Sequence, residues 1–245
     1  MHSKELDQTL VLIKPDALKN SLTGYVLSLL SEVHTGLRFA AAKVVHVNRM
    51  LAEEHYAEHR GKVFYPPLID YIMGTLHFPG EMQKQRVIAI VYQGPDAVQK
   101  VRELAGPTNP LTAREQRPGC IRSLGTLVPI TDAQGNVVGQ RMDNLLHASA
   151  NEADAEREIK LWFKPNEIPP CMRIYDVAVS DDHYYYLNGK LLTEHKPGSV
   201  CLLAPGDGAW ASDLEALQRI YRGQTAACTL ETVVAKYLIN EEIEC

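Results

Sequence analysis

The sequence predicts a layered fold of alternating strands and helices, α/β or α+β, and three observations lead there. Apolar runs too short for helices recur, at Thr9 to Ile13, Ala40 to Val47 and Arg86 to Tyr92. Amphipathic stripes at helical spacing lie between them. Proline, glycine and Asn-Gly pairs punctuate the joints.

The elements follow in order. Thr9 to Ile13 reads as a buried strand that ends at Lys14-Pro15-Asp16. Val26, Leu29, Leu30 and Val33 stand at i, i+3, i+4 and i+7, which predicts one helix with an inward stripe, ended by Gly36. Ala40 to Val47 is a second strand and Leu51 to Arg60 a polar helix. Pro66-Pro67 opens another short helix, because proline suits the first helical turn. Val-Ile-Ala-Ile-Val within Arg86 to Tyr92 marks a central strand. Pro95-Asp96 then starts a helix with Val98, Val101, Leu104 and Ala105 on one face. Residues 106 to 125 carry three prolines, three glycines and three arginines, the composition of a long functional loop. Thr126 to Gln140 predicts a hairpin turning at Asp132 to Asn136, and Asn144 to His147 a strand end. A helix from Glu152 to Phe163 buries Ala155, Ile159, Trp162 and Phe163, and Lys164-Pro165 stops it.

Ile168-Pro-Pro170 marks a boundary. Beyond it, Tyr184 to Leu192 is a hairpin, since Asn188-Gly189 suits a type I′ turn. Two helices follow, one bearing Leu214, Leu217 and Tyr221, the other Leu230, Val233, Val234 and Tyr237. The expected organisation is a first domain over 1–166 and a C-terminal α/β extension over 167–245.

Composition narrows the class. A chain of 245 residues accommodates a standard domain plus a substantial further piece. The hydrophobic fraction of 45% and charged fraction of 22% are those of an ordinary globular protein. No apolar run approaches the roughly 20 residues that span a bilayer, and the N-terminus lacks the apolar stretch of a signal peptide, so no membrane partner is expected. A net charge of −5 argues against bulk binding of nucleic acid while leaving room for a basic cleft. The five cysteines form no C-x-x-C pair and are odd in number, which points to reduced thiols in a cytoplasmic protein. Asp181, Asp182, His183 and His195 satisfy no metal-ligand spacing and read as polar turn residues.

The segment Asn144-Leu-Leu-His147-Ala-Ser149 is the one most suggestive of chemistry. A histidine just before a helix lies near free backbone N–H groups and the positive end of the helix dipole, a place that favours anions. Arg102, Arg114, Arg117 and Arg122 offer planar forks that match phosphate oxygens. A lone histidine before a helix is more often structural, and loop arginines are usually solvated, so these features alone leave the function open. No G-x-x-x-x-G-K-[ST] loop occurs.

Five segments in order resemble the nucleoside diphosphate kinase family over about residues 5 to 166. They are Thr9-Leu-Val-Leu-Ile-Lys14-Pro-Asp16, then His55-Tyr56 with Val63-Phe64-Tyr65-Pro-Pro-Leu68, then Gly106-Pro-Thr108-Asn-Pro110, then Arg117-Pro-Gly119-Cys-Ile-Arg122, and Asn144-Leu-Leu-His147-Ala-Ser149 with Glu158. The resemblance implies an α+β fold, with a ferredoxin-like four-stranded antiparallel sheet flanked by helices. It implies transfer of the γ-phosphate of a nucleoside triphosphate to a diphosphate, ping-pong, through a phosphohistidine on His147. Glu158 would orient that ring and Tyr56 help to hold it. Lys14, Arg102, Thr108 and Arg122 would grip phosphates, Asn144 a ribose hydroxyl, and Phe64 would stack on the base. Mg²⁺ would arrive on the nucleotide phosphates, with no dedicated protein site. A homo-oligomer is expected, with the extension lying across a neighbouring copy.

Four features depart from the family pattern. Ala150 stands where an acidic residue is usual, so Ser149 or Asn151 would cap the helix. Lys62 replaces an arginine of the nucleotide clamp. Insertions fall near 75–86 and 126–140. The first departure motivates a second reading, a nucleotide-binding or scaffold module on the same fold with weakened turnover.

Overall fold

The structure, a computed structural model, describes residues 6–131 and 134–239. Asp132 and Ala133 of the expected hairpin turn, and Cys245, lie outside them. The first part of the chain runs β1 (Leu6–Ile13), α1 (Pro15–Lys19), α2 (Thr23–Leu29), α3 (Glu32–Thr35), β2 (Arg38–Val45), α4 (Arg49–His55), α5 (Tyr65–Met73) and β3 (Val87–Pro95). It continues with α6 (Ala97–Ala105), α7 (Pro110–Gln116), β4 (Thr126–Thr131), β5 (Val137–Asp143), β6 (Leu146–Ala148) and α8 (Glu152–Trp162).

β1 explains the sheet. A strand buried on both faces must be apolar at successive positions, and this one is. Leu10 and Leu12 enter one core while Val11 and Ile13 enter the other. β3 divides its side chains in the same way, Val87, Ala89 and Val91 against Ile90 and Tyr92. The four strands lie in the order β2-β3-β1-β6, every pair antiparallel. This is the ferredoxin-like topology expected from the resemblance. α4, α5 and α8 cover one face, with Leu51, Ile72, Ile159 and Trp162 inward. α2 and α6 cover the other with Val26, Val101 and Ala105.

Two readings of the sequence are corrected. The stripe from Val26 to Val33 is not one helix: the chain bends at Leu30 and Ser31, and α3 restarts it in a new direction. Val26 and Leu30 are buried as the spacing requires, but Val33 is 94% exposed. Gly36 ends this region in the left-handed conformation, φ +68°. The stretch 106–125 is not a plain loop either. Asn109 caps α7 by accepting from Leu111 N, and a 3-10 turn at Ile121–Leu124 follows. The Pro and Gly content reflects helix starts and stops packed close together.

The extension holds β7 (Val177–Val179), β8 (Tyr184–Leu187), β9 (Lys190–Leu192), β10 (Val200–Leu203), β11 (Gly208–Trp210), α9 (Ala211–Tyr221) and α10 (Leu230–Val234). The Asn-Gly hairpin forms as read, with Asn188 at φ +47° and Gly189 at φ +80°. Its own small core gathers Tyr184, Leu203, Leu217 and Val233, and a buried ion pair of Lys236 Nζ with Asp213 at 2.9 Å ties α9 to the turn after α10. That core does not stand alone. Trp210 and Ala235 belong to the main core, and Trp210 Nε1 donates to Phe163 O at 2.7 Å. Asn48 donates to Leu238 O, and Thr232 to Glu54. The extension thus packs on the first part of its own chain.

Trp210→Ala should therefore lower the stability of the full chain by about 3–5 kcal/mol, the usual cost of truncating a buried aromatic. Val33→Ser should change it by less than about 0.5 kcal/mol, as at other exposed positions. Urea unfolding of both variants checks the pair.

Candidate active site

A cleft of about 340 Å³ opens beside the end of β1. Its lining includes Lys14, Tyr56, Phe64, Arg102, Thr108, Arg122, Asn144, His147 and Glu158, so all nine residues singled out from the sequence meet in one place. They come from six separate stretches of chain, which only the sheet register brings together. His147 on β6 stands opposite Leu12 on β1, and Lys14 follows two residues later.

His147 is held by its ring. Nε2 lies 2.8 Å from Glu158 Oε2. Ser149 Oγ donates to the same oxygen at 2.7 Å, and Arg157 reaches Oε1 at 3.4 Å. Burial alone would push the Glu158 carboxyl upward, but the facing His147 and these donors hold it at about 2. An ionised Glu158 accepts the Nε2 proton, which leaves Nδ1 as the nitrogen with a lone pair.

The cations are desolvated. Lys14 is lowered to about 8, first by burial and then by Arg122. Its Nζ donates to Asn144 Oδ1 at 2.8 Å and sits 5.1 Å from the centre of the Tyr71 ring. Arg122 is brought to about 10 by burial and by Arg102. It donates to Gly106 O at 2.9 Å and weakly to Leu146 O. Buried like charges crowd together here without a facing carboxylate on each, which is the electrostatic form of an anion site. Asn144 is fixed on both sides, by Lys14 and by its Nδ2 donating to Thr108 O at 2.9 Å.

Between Asn144 and His147 the chain takes an unusual turn. Leu145 is left-handed at φ +70° although it is a branched, fully buried residue. Asp16 Oδ2 accepts its N–H at 2.9 Å, and its carbonyl accepts from Lys14 N at 2.9 Å. The Lys-Pro-Asp segment thus holds a strained backbone in place.

Other expectations shift. Residues 150–153 at the start of α8 line a second, larger and more open depression that shares Arg102 with the cleft, so the helix lines the cleft through Glu158 on its second turn and not through its N-terminus. Asn151, not Ser149, caps α8 by accepting from Asp154 N at 2.9 Å. Arg114 ties the carbonyls of Ser123 and Gly125, and Arg117 faces Glu103 at 4.0 Å outside the cleft. Lys62 sits 5.7 Å from the Phe64 ring centre without lining the cleft. Among the described residues, one group of His, Cys, Asp or Glu atoms lies close enough to hold a metal: His55, His147 and Glu158. Asp181, Asp182, His183 and His195 do not form such a group.

Sequence reasoning missed part of the wall. The hairpin β4–β5 brings Ile130, Gln140, Arg141 and Met142 to the cleft. The segment after α5 pins it there: His77 Nε2 lies 2.8 Å from Asp143 Oδ2, and Arg141 Nε donates to Asp143 Oδ1 at 2.6 Å. No local pattern announced this, because two segments distant in sequence meet only in the fold. Tyr71, whose hydroxyl accepts from Asn144 N, was equally silent.

A ring nitrogen fixed by a carboxylate and opened to a cluster of buried cations defines a phosphoryl-transfer site on a ferredoxin-like sheet. The sequence profile described as nucleoside diphosphate kinase matches residues 7–168. A nucleoside diphosphate kinase of Thermococcus kodakarensis is 34% identical over 202 residues, covering 82% of this chain and 99% of that one. The solved kinase of Borrelia burgdorferi, a transition-state mimic with vanadate and ADP, shares 33% identity and superposes with a TM-score of 0.51 over 69% of this chain and 94% of that one. The kinase of Halobacterium salinarum in complex with CDP shares 31% identity, TM-score 0.52, over 69% and 95%. The chain belongs to the nucleoside diphosphate kinase family, and it is a phosphotransferase whose substrates are nucleotides. A scaffold with weakened turnover is not favoured, since the matching profile and relatives are those of nucleoside diphosphate kinases.

The depressed carboxyl makes a stability prediction. A folded-state value of about 2 against an ordinary 4.5 stabilises the fold fully above 4.5, and that stabilisation is lost as pH falls toward about 2. Glu158→Gln should lose less stability than the parent chain across that window, measured by urea unfolding at a series of pH values.

Proposed function

We propose that the chain moves the γ-phosphate of a nucleoside triphosphate onto a nucleoside diphosphate by way of His147. The observation that carries this reading is the His147–Glu158 pair beside Lys14, Arg102 and Arg122 in one cleft. The Nδ1 lone pair attacks the γ-phosphorus, and the bond to the β–γ bridging oxygen breaks with its electron pair leaving on the diphosphate. The Nε2 proton stays shared with Glu158 throughout. An incoming diphosphate then attacks the phosphorus with a terminal oxygen, and the N–P electron pair returns to His147. Donor and acceptor differ by one phosphate, so one cleft used in turn suffices and the cycle is ping-pong.

Lys14, Arg102, Thr108 and Arg122 grip the phosphates, and Tyr56 steadies His147. Asn144 holds a ribose hydroxyl. Phe64, at 42% exposure on the cleft rim, stacks on the base. The carboxylates lining the cleft are Glu58 and Glu158, and the second is engaged by His147 and Ser149, which fits a Mg²⁺ that arrives bound to the nucleotide. That ion neutralises phosphate charge when bound. The chain assembles as a homo-oligomer, a reading in keeping with the edge strand β2, whose Phe39 and Val44 are exposed. It works in the cytoplasm, in keeping with the free thiols of Cys120, Cys171, Cys201 and Cys228. No helix among the described residues is long and apolar enough to cross a membrane.

Incubation with ATP should add one phosphate to the intact chain, labile in acid and stable in alkali, and a diphosphate should remove it. His147→Gln should abolish both labelling and turnover; turnover retained in that variant would overturn the mechanism. Stacking tolerates every base, so acceptor preferences in steady-state assays should stay below about a thousandfold, the scale a hydrogen-bonding site reaches.

The Lys14 ammonium provides a further readout. With its value lowered to about 8, the charge is present below that pH and lost as pH rises through it. kcat/KM, which reports the free enzyme, should fall above about pH 8. Lys14→Arg, permanently charged, should remove that alkaline limb even if its rate is lower throughout.

A further inference from the structure

His55 lies at the end of α4, 2% exposed, yet it lines the cleft. Its ring meets the His147 ring edge-on, centres 4.5 Å apart at 79°. Trp162 Nε1 donates to His55 Nδ1 at 3.2 Å. Indole nitrogen is a donor only, so Nδ1 must be the acceptor and the His55 proton must sit on Nε2. Burial, reinforced by His147, keeps the ring neutral. The Nε2–H group then has no hydrogen-bond partner among the described residues.

A buried donor without a partner destabilises a fold, and proteins keep few of them. Three such groups belong to this cleft: His55 Nε2, Tyr56 Oη and Arg122 Nε. All can donate, and none meets an acceptor among the described residues. A metal ion does not answer for His55. Ligation through Nε2 would drive its proton to Nδ1, against the Trp162 N–H. An oxyanion supplies the acceptor that the protein withholds.

We propose that His55 is a catalytic residue whose Nε2–H donates to an oxygen of the phosphoryl group carried by His147. This rests on the phosphohistidine reading above. Trp162 selects the donor tautomer, and it stands on α8 one turn beyond Glu158. One helix therefore sets both rings: Glu158 fixes the proton on His147, and Trp162 fixes the proton on His55. The contact forms only when phosphate is near, so it acts on the transferring group more than on nucleotide binding.

The test compares His55→Phe with His55→Gln in the full chain. Phenylalanine keeps a ring and loses the donor; glutamine restores an N–H near the Nε2 position. Phenylalanine also removes the acceptor for Trp162, which the glutamine amide oxygen can replace, so the donor itself is isolated by the resonance measurement below. His55→Phe should lower kcat about ten- to a hundredfold with little change in KM, the loss of a hydrogen bond to a charged group, and His55→Gln should recover much of it. Equal loss in both, or no loss in His55→Phe, would overturn the proposal. Nitrogen-15 NMR of the unmutated chain provides a second measurement that no folding defect can obscure. The His55 Nε2–H resonance should move downfield when ATP phosphorylates the protein. If label enters His147 and that resonance stays still, the role of His55 is wrong and the phosphohistidine stands. If label never enters, the phosphohistidine reading falls and this inference with it.

Discussion

The hydrogen bond between His147 Nε2 and Glu158 is the contact on which the active site turns. It requires a strand and a helix from opposite ends of an 11-residue gap to face each other across a buried space. β6 supplies the ring because it pairs with β1, and α8 supplies the carboxylate because Ile159 and Trp162 anchor it in the core. Burying a carboxylate is costly unless it is paired and hydrogen-bonded. Glu158 meets that condition with His147, Ser149 and Arg157. The same contact decides which ring nitrogen is free for chemistry.

The cations follow a different logic. Burial weakens the hold of Lys14 and Arg122 on their protons, and a neighbouring cation, Arg122 beside Lys14 and Arg102 beside Arg122, weakens it further. Such a cluster is unfavourable in the free protein and is relieved by an anion. Left-handed Leu145 and the unpartnered donors at His55, Tyr56 and Arg122 belong to the same pattern. Local unfavourable features gather at the cleft while the two cores on either face of the sheet stabilise the rest.

The remaining segments serve the sheet and its helices from outside. The segment after α5 and the β4–β5 hairpin meet through His77, Asp143 and Arg141 and add a wall to the cleft. The extension braces the backs of α4 and α8 through Thr232, Asn48 and Trp210. Those two helices carry His55, next to Tyr56, and Glu158. The extension's own small core joins the main one through Trp210 and Ala235.

Sequence by itself determined the strands of the four-stranded sheet, the β4–β5 and β8–β9 hairpins, most helices and nine residues that meet in one cleft, while β7, β10 and β11 went unread. β1 was legible because a strand buried on both faces leaves an unbroken apolar run, and the Asn188-Gly189 hairpin because only a few residues tolerate positive φ. The roles expected of Lys14, Asn144 and His147 were legible through the resemblance of their motifs to those of the nucleoside diphosphate kinase family, not through any property of one residue. The bend at Leu30 escaped notice, because Val26, Leu29, Leu30 and Val33 keep helical spacing on either side of it. So did the tautomer of His55, the meeting of His77 with Asp143 and the packing of Trp210 against the first part of the chain. Each depends on contacts between residues tens of positions apart or more, His55 with Trp162, His77 with Asp143, Phe163 with Trp210. Periodicity and turn chemistry act over a few residues, so local pattern reveals elements and motifs. Which distant side chains end within 3 Å of one another is decided by sheet register and helix packing, and these exist only in the folded chain.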